Sequence, residues 1–179
     1  PEFRRDLLES LRQPLETGKV TVSRVRQSLD FPSKFILVAA MNPCPCGYSG
    51  DLEKECRCAA FEVLRYQKKV SGPLLDRIDI QINVPRLKIE ELRTAKTSGS
   101  EGIRQRVMEA RATQAERLAG QKALTNSEMS SKLTEKLVNL DESADGFIKK
   151  VFDKSLISTR GYYRILKVAR TIADLDHSE

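Results

Sequence analysis

The hydrophobic period of this 179-residue chain changes near residue 87, and this change constrains the fold more than any other feature. Before it, residues 35–40 form a continuous apolar run, and residues 78–84 alternate between apolar and polar side chains, as strands do. After it, apolar residues recur with the helical period of about 3.6. The sequence therefore predicts an α/β part with a piece of parallel sheet in residues 1–86 and an all-α part in residues 87–179.

Composition sets only loose limits on the partners of such a chain. The 31 Lys and Arg residues outnumber the 25 Asp and Glu residues, so a polyanionic partner such as DNA is compatible with the net charge of +6 but is not required by it. No apolar run approaches the roughly 20 residues that span a bilayer, and no signal peptide is recognisable. A cytoplasmic protein without membrane contact is the expectation.

Helical periodicity opens the first part, and Pro14 is expected to end the regular helix. Residues 20–23 then alternate as a strand, and a basic stretch at 24–28 separates them from a second short extended segment. This order predicts a β-hairpin just before the apolar run. A further helix is predicted at 59–70, after a loop that contains the cysteines.

Several helices are predicted in the second part. A long helix is marked by Ile103, Val107, Ala110 and Leu118. Two shorter helices follow at about 127–137 and 142–154. Ser158 has the position of an N-cap residue for the last helix. The apolar stripe of that helix is predicted to consist of Ile165, Ala169 and Ile172.

The four cysteines lie within fifteen residues, as the pairs Cys44-Pro45-Cys46 and Cys56-Arg57-Cys58. In a chain without a secretory signal, such clustering favours a metal site over a disulfide framework. Four thiolates in one loop can complete a tetrahedral zinc site, and such a site is structural because protein fills every position. Four reduced, unligated thiols are the alternative.

A phosphate-binding loop is missing from the sequence. The pattern Gly-x-x-x-x-Gly-Lys-[Ser/Thr] does not occur, and the pair Gly18-Lys19 lacks the other residues of that pattern. Without such a loop and its lysine, we do not expect tight nucleotide binding by this chain alone.

Three stretches of the sequence carry a resemblance to a known family. They are residues 1–22 (PEFRRDLLESLRQPLETGKVTV), residues 31–85 with AAMNPCPCG and SGPLLDRIDI, and residues 158–175 (STRGYYRILKVARTIADL). Together they resemble the ComM-type (YifB-type) branch of the magnesium-chelatase-like AAA+ ATPases, and they cover more than half of the chain in order.

The resemblance implies a division of labour between the two parts. Residues 1–86 would be the carboxy-terminal part of an AAA+ core with an inserted β-hairpin, and residues 87–179 its helical lid. The resemblance also implies a hexameric ring that hydrolyses ATP with Mg²⁺ and acts on DNA, as a branch-migration helicase in recombination and natural transformation. An upstream half with the phosphate-binding loop is then expected, and this chain alone should be catalytically inactive.

Three residues receive catalytic roles from the resemblance. Asn42 becomes sensor 1, which orients the attacking water, with an Asn-Pro turn as the alternative. Arg77 becomes the arginine finger that acts on ATP in the neighbouring subunit, with a salt bridge to Asp76 or Asp79 as the alternative. Arg160, in the first turn of the last helix, becomes sensor 2, with a solvated surface arginine as the alternative.

The predicted hairpin carries the cations Lys19, Arg24 and Arg26. Related motors have a hairpin that projects into the pore of the ring, so the resemblance makes these three side chains phosphate contacts for DNA. A solvated basic turn is the alternative.

Two other classes of function stay open. One is a metal-insertion motor like the magnesium chelatase of tetrapyrrole synthesis, which shares the same ATPase residues. The other is a free-standing, zinc-stabilised nucleic-acid-binding module with no motor. DNA-stimulated ATPase activity would favour a DNA motor over the chelatase, and a phosphate-binding loop upstream would exclude the free-standing module.

Overall fold

The computed structural model describes residues 1–24, 27–51, 53–85, 99–154 and 157–178. The chain forms two compact units, unit 1 at Pro1–Ile89 and unit 2 at Glu90–Glu179. The sequence places the division after residue 86. That the two parts are an ATPase core portion and a lid stays a prediction.

Unit 1 opens with two short helices, α1 (Arg5–Ser10) and α2 (Arg12–Thr17). The prediction that Pro14 ends the helix was wrong, because Pro14 lies inside α2. Proline has no N–H to donate to the carbonyl four residues earlier, which is that of Ser10. The break therefore falls before the proline, at the end of α1, rather than at the proline itself.

The predicted β-hairpin is confirmed by two antiparallel strands, β1 (Lys19–Arg24) and β2 (Gln27–Pro32). Gly18 links α2 to β1 in the left-handed conformation, at φ +65°, which a residue with a side chain rarely adopts. Its carbonyl accepts a hydrogen bond of 2.7 Å from the Ser33 amide. This bond extends the pairing beyond β1 and β2 and closes the base of the hairpin.

Two further helices complete the regular structure of unit 1, α3 (Ala60–Gln67) and α4 (Gly72–Leu75). The amide of Ala59 donates to the Glu62 carboxylate at 2.9 Å, which caps the start of α3. The Ser71 hydroxyl accepts from the Leu74 amide at 3.3 Å and caps α4. Ser71 therefore follows the end of α3 and is the N-cap residue of α4.

The predicted parallel sheet is not formed by the described residues, where the hairpin is the only sheet. Residues 35–40 and 78–84 have no strand pairing. Ile36 and Val38 are each 89% exposed, and Ile82 is 78% exposed. An apolar run predicts that its side chains are buried, but it does not identify the segment that covers them. A strand also needs backbone hydrogen bonds from an adjacent strand.

Unit 2 is helical in its described part, as predicted. Its elements are α5 (Ser100–Arg117), a 3-10 turn (Asn126–Glu128), α6 (Ser131–Leu137), α7 (Glu142–Asp153) and α8 (Thr159–Leu175). The N-cap at Ser158 is confirmed, because its hydroxyl accepts from the Gly161 amide at 3.1 Å. Among the residues that the structure describes, none of the helices is a candidate for crossing a membrane.

The core of unit 2 uses a different face of α8 from the one predicted. Ile165 and Ile172 are 42% and 54% exposed, whereas Leu166 is buried. The core consists of Leu118, Ala123, Met129, Val138, Ile148 and Leu166, with Tyr162 and Tyr163 packed against it. Apolar residues occur on more than one side of α8, so the period alone does not determine which side packs.

A buried ionic cluster joins α5, the 3-10 turn and α8. The Asp174 carboxylate, whose side chain is fully buried, accepts from Arg117 Nη1 at 2.9 Å, from Asn126 Nδ2 at 2.8 Å and from Arg170 Nε at 3.0 Å. Burial disfavours its charge, but the hydrogen bonds from Arg117 and Asn126 outweigh burial and lower the pKa of Asp174 to about 2. The carboxylate is therefore ionised in the interior of unit 2.

Candidate metal centre and nucleotide-site residues

Four thiols converge in the loop before α3: those of Cys44, Cys46, Cys56 and Cys58. The sulfur of Cys44 lies 3.4 Å from that of Cys46 and 3.7 Å from that of Cys56, and the sulfurs of Cys46 and Cys56 are 3.6 Å apart. All four sulfurs lie within 4.8 Å of one another. A disulfide bond is about 2.05 Å long, so these are four free thiols.

The sulfur separations fit a tetrahedral metal centre. Zinc–sulfur bonds of about 2.3 Å at tetrahedral angles place the sulfurs about 3.8 Å apart. The three measured separations of 3.4, 3.6 and 3.7 Å are close to that value. The protein can therefore supply four ligands to one metal ion, and the donor set is compatible with zinc.

The loop is shaped by its glycines and by the burial of one sulfur. Gly47 and Gly50 have φ values of +84° and +85°, in the region that favours glycine. The Gly47 amide donates to the Cys44 carbonyl at 3.0 Å, and the Ser49 amide donates to the Cys44 sulfur at 3.3 Å. Cys44 is fully buried. These contacts turn the chain so that the first Cys-x-Cys pair faces the second.

The thiols of the cluster ionise unequally. Amide donors of Tyr48 and Arg57 lower the pKa of Cys46 to about 6. The Cys46 amide favours the Cys58 thiolate, but burial and the adjacent sulfurs of Cys46 and Cys44 outweigh it and raise the pKa of Cys58 to about 12. Crowded thiolates repel one another, and a divalent cation supplies the opposite charge that four of them need.

Arg77 lies just after α4 and is paired inside unit 1. Its guanidinium contacts the Glu16 carboxylate on α2 and donates to the Pro73 carbonyl. The salt bridge considered from sequence was to Asp76 or Asp79, whereas the observed partner is Glu16. Because 61 residues separate Arg77 from Glu16 along the chain, no local sequence signal identified the pair.

Asn42 and Arg160 are both exposed, and they belong to different units. Asn42 lies in an irregular segment directly before the cysteine loop, and the Gln67 side chain donates to the neighbouring Pro43 carbonyl at 3.0 Å. Arg160 lies in the first turn of α8, two residues after the N-cap Ser158. Their roles as sensors 1 and 2 stay predictions.

The hairpin cations do not form a single patch in the described residues. Lys19 lies at the base of β1, and Arg24 lies at its other end, opposite Gln27. They are five positions apart along the strand, a distance of about 17 Å, and this odd spacing places them on opposite faces. The Lys19 ammonium is 3.8 Å from the Asp30 carboxylate. Arg26 lies outside the described residues.

The sequences of both units match a known protein family. A family model described as magnesium chelatase, subunit ChlI, matches residues 1–92. A second model, described as magnesium chelatase, subunit ChlI C-terminal, matches residues 97–179. The chain therefore belongs to the magnesium-chelatase-like family, a family of AAA+ type.

Relatives of known sequence confirm the resemblance to the ComM and YifB branch. The competence protein ComM of Haemophilus influenzae is 42% identical over 178 residues, which cover 98% of this chain and 34% of ComM. The uncharacterized protein YifB of Escherichia coli is 38% identical over 182 residues, which cover 100% of this chain and 35% of YifB. The chain thus spans about a third of the length of these relatives.

Proposed function

We propose that this chain forms the sensor and lid portions of a ring-forming AAA+ ATPase that moves along DNA, with branch migration in recombination and DNA uptake as its task. The observation that carries the proposal is the match of nearly the whole chain to the competence protein ComM. The family models support the ATPase part, since they match both units in order. The assembly that we propose is a cytoplasmic ring of six copies that uses ATP and Mg²⁺.

The exposed apolar runs support a role as part of a larger core. Ile36 and Val38 are 89% exposed, and Ile82 is 78% exposed, which is unusual for so many apolar residues in extended segments. Strands from another part of the intact ATPase would bury them and pair their backbones. We therefore propose that residues 35–40 and 78–84 become strands of the AAA+ sheet in the intact protein.

Each predicted catalytic residue has a distinct task in this ATPase. Asn42 orients the attacking water as sensor 1, and Arg160 couples the lid to the nucleotide as sensor 2. Both side chains are exposed, so both are accessible to a nucleotide held elsewhere in the protein. Arg77 is the arginine finger, which balances phosphate charge in the transition state of the neighbouring subunit.

We expect one structural zinc ion at Cys44, Cys46, Cys56 and Cys58. Elemental analysis of the chain purified without added metal should find about one zinc per chain, because four thiolates fill a tetrahedral site. The double variant Cys56→Ser/Cys58→Ser should lose the ion. Tyr48→Phe is the matched control, since it removes a hydroxyl of the same loop that contacts Lys54 and leaves all four sulfurs in place.

Removal of the zinc should loosen the loop at 43–58 and leave unit 2 folded. Hydrogen exchange before and after chelation measures this, with faster exchange expected in the loop and unchanged exchange in α5 and α8. Wild-type protein with no bound zinc, or with disulfides among the four cysteines, would show that the cluster is not a metal centre.

The hairpin is the element through which we expect DNA to be held. Replacing Lys19, Arg24 and Arg26 together with alanine in the intact ring should weaken binding similarly for every DNA sequence. The slope of log affinity against log salt should shrink by up to about three units, since each phosphate contact releases about one counterion. Arg24→Ala alone should account for more of the change than Lys19→Ala, because Lys19 also contacts Asp30.

The control for this experiment is Lys132→Ala, which removes an exposed cation from α6 in unit 2. Affinities across a salt series would be measured for the wild type and for each variant. An unchanged affinity and slope in the triple variant would show that the hairpin does not touch DNA.

A metal-insertion motor is the second candidate function. The observation that favours it is the description of both matching family models as magnesium chelatase. The ATPase residues are common to both candidates, so they do not discriminate. ATP turnover that depends on a porphyrin-binding partner subunit and not on DNA would favour the chelatase.

A further inference from the structure

Both terminal nitrogens of the Arg77 guanidinium are occupied within unit 1. One contacts the Glu16 carboxylate, and the other donates to the Pro73 carbonyl. The side chain of Arg77 is 11% exposed, whereas that of Glu16 is 43% exposed. The guanidinium therefore lies between α2 and α4, with its charge balanced by a carboxylate.

This arrangement is incompatible with the action of an arginine finger. A finger presents its planar fork of donors to the phosphate oxygens of ATP. In the structure, the same donors point at Glu16 and Pro73. A carboxylate and a phosphate are both anionic oxygen acceptors, so they compete for one guanidinium.

We propose that Glu16 is a positioning residue that holds Arg77 in a withdrawn state, in which the guanidinium contacts Glu16 and Pro73 instead of a phosphate. Glu16 thereby restrains ATP hydrolysis until the arginine finger is released. The inference rests on the proposed role of Arg77 as the arginine finger. The ion pair is a weak restraint, because water reaches a carboxylate that is 43% exposed. A binding event, such as ATP binding to the neighbouring subunit, can therefore break the ion pair and release Arg77.

Hydrogen bonds hold the backbone close to Glu16 at the end of α2. Glu16 lies in the last turn of α2, which Gly18 closes through a hydrogen bond of 2.9 Å to the Pro14 carbonyl. The Gly18 carbonyl in turn accepts from Ser33 at the base of the hairpin, at 2.7 Å. In this proposal, release of the finger is a rotation of the long Arg77 side chain away from the Glu16 carboxylate.

The withdrawn state can be tested in the 179-residue chain itself. An arginine-selective dicarbonyl reagent, followed by mass spectrometry, reports how fast each guanidinium reacts, with Arg4 at 80% exposure as the internal reference. We expect Glu16→Gln to raise the labelling rate of Arg77 about two- to fivefold. The matched control is Glu9→Gln, which removes the carboxylate 2.8 Å from Arg12 and leaves Glu16 in place. An Arg77 rate that does not change in Glu16→Gln would overturn the proposal.

The restraint itself is tested by ATP turnover of the intact ring. Glu16→Gln should raise kcat about two- to fivefold and leave KM unchanged, since the finger acts on chemistry and not on ATP binding. Glu9→Gln should have no effect. An ion pair that only stabilises the fold would lower turnover when broken, so an unchanged or lower kcat in Glu16→Gln overturns the restraint. Normal turnover in Arg77→Ala would show that Arg77 is not the arginine finger. That outcome would overturn the restraint on ATP hydrolysis, and the labelling result would then describe only the Glu16–Arg77 ion pair.

Discussion

Replacing Arg77 with alanine in the intact ATPase is expected to lower ATP turnover about a thousandfold and to leave ATP affinity nearly unchanged. An arginine finger stabilises charge that develops only in the transition state, so its loss lowers kcat rather than binding. Steady-state turnover and the equilibrium binding of a nucleotide analogue measure the two effects separately. The same ring must assemble in both proteins for the comparison to hold, and sedimentation establishes this.

Arg12→Ala is the matched control for Arg77→Ala. Like Arg77, Arg12 pairs with a glutamate, here Glu9 at 2.8 Å. The Nε atoms of Arg12 and Arg77 are both buried and have no hydrogen-bond partner in the described part of the chain. The two variants therefore remove similar ion pairs from the same unit. An effect of similar size in both would point to a loss of fold, and near-normal turnover in Arg77→Ala would exclude the finger.

The second large effect concerns stability and the buried carboxylate of unit 2. Asp174→Ala should lower the free energy of unfolding by about 3 kcal/mol, because it leaves Arg117, Arg170 and Asn126 without the acceptor that they share. Denaturant unfolding of the chain, followed by circular dichroism, measures the loss. Asp176→Ala is the control, since Asp176 is 63% exposed and lies 3.6 Å from Arg106. Exposed pairs of that kind contribute about 0–1 kcal/mol.

The pH dependence of stability gives an independent check on Asp174. Its pKa is about 2 in the fold, below the ordinary value of about 3.9, so the folded state binds its proton less readily. The contribution of Asp174 is therefore fully present above about pH 4 and is lost as pH falls from about 4 to 2, by about 2 kcal/mol in all. Asp174→Asn should remove this part of the acid sensitivity. An equal loss in the wild type and in Asp174→Asn would place the acid sensitivity in other groups.

Features that depend on neighbouring residues were predicted well from the sequence. The hairpin followed from alternation in residues 20–23, and the start of α8 followed from Ser158, whose hydroxyl caps an amide three residues later. The sulfur cluster also has a local cause, because all four cysteines lie within one loop. The family followed from motifs that are themselves continuous stretches of sequence.

Features that depend on distant residues were not predicted. The partner of Arg77 lies 61 residues away, and that of Arg117 in the buried ionic cluster lies 57 residues away. The four-residue spacing of Arg170 and Asp174 is the local pattern in the sequence that indicates part of this cluster. The spacing alone describes an exposed helical pair equally well, so burial had to come from the structure.

The difference between the two kinds of feature has a physical basis. Caps, turns and the cysteine loop are determined by contacts within a few residues, so the sequence by itself determined them. Which face of α8 packs, and whether residues 35–40 find a neighbouring strand, depends on surfaces contributed by other segments. Apolar side chains favour burial without specifying a partner. For that reason only the tertiary structure decided that Leu166 is buried while Ile165 and Ile36 are exposed.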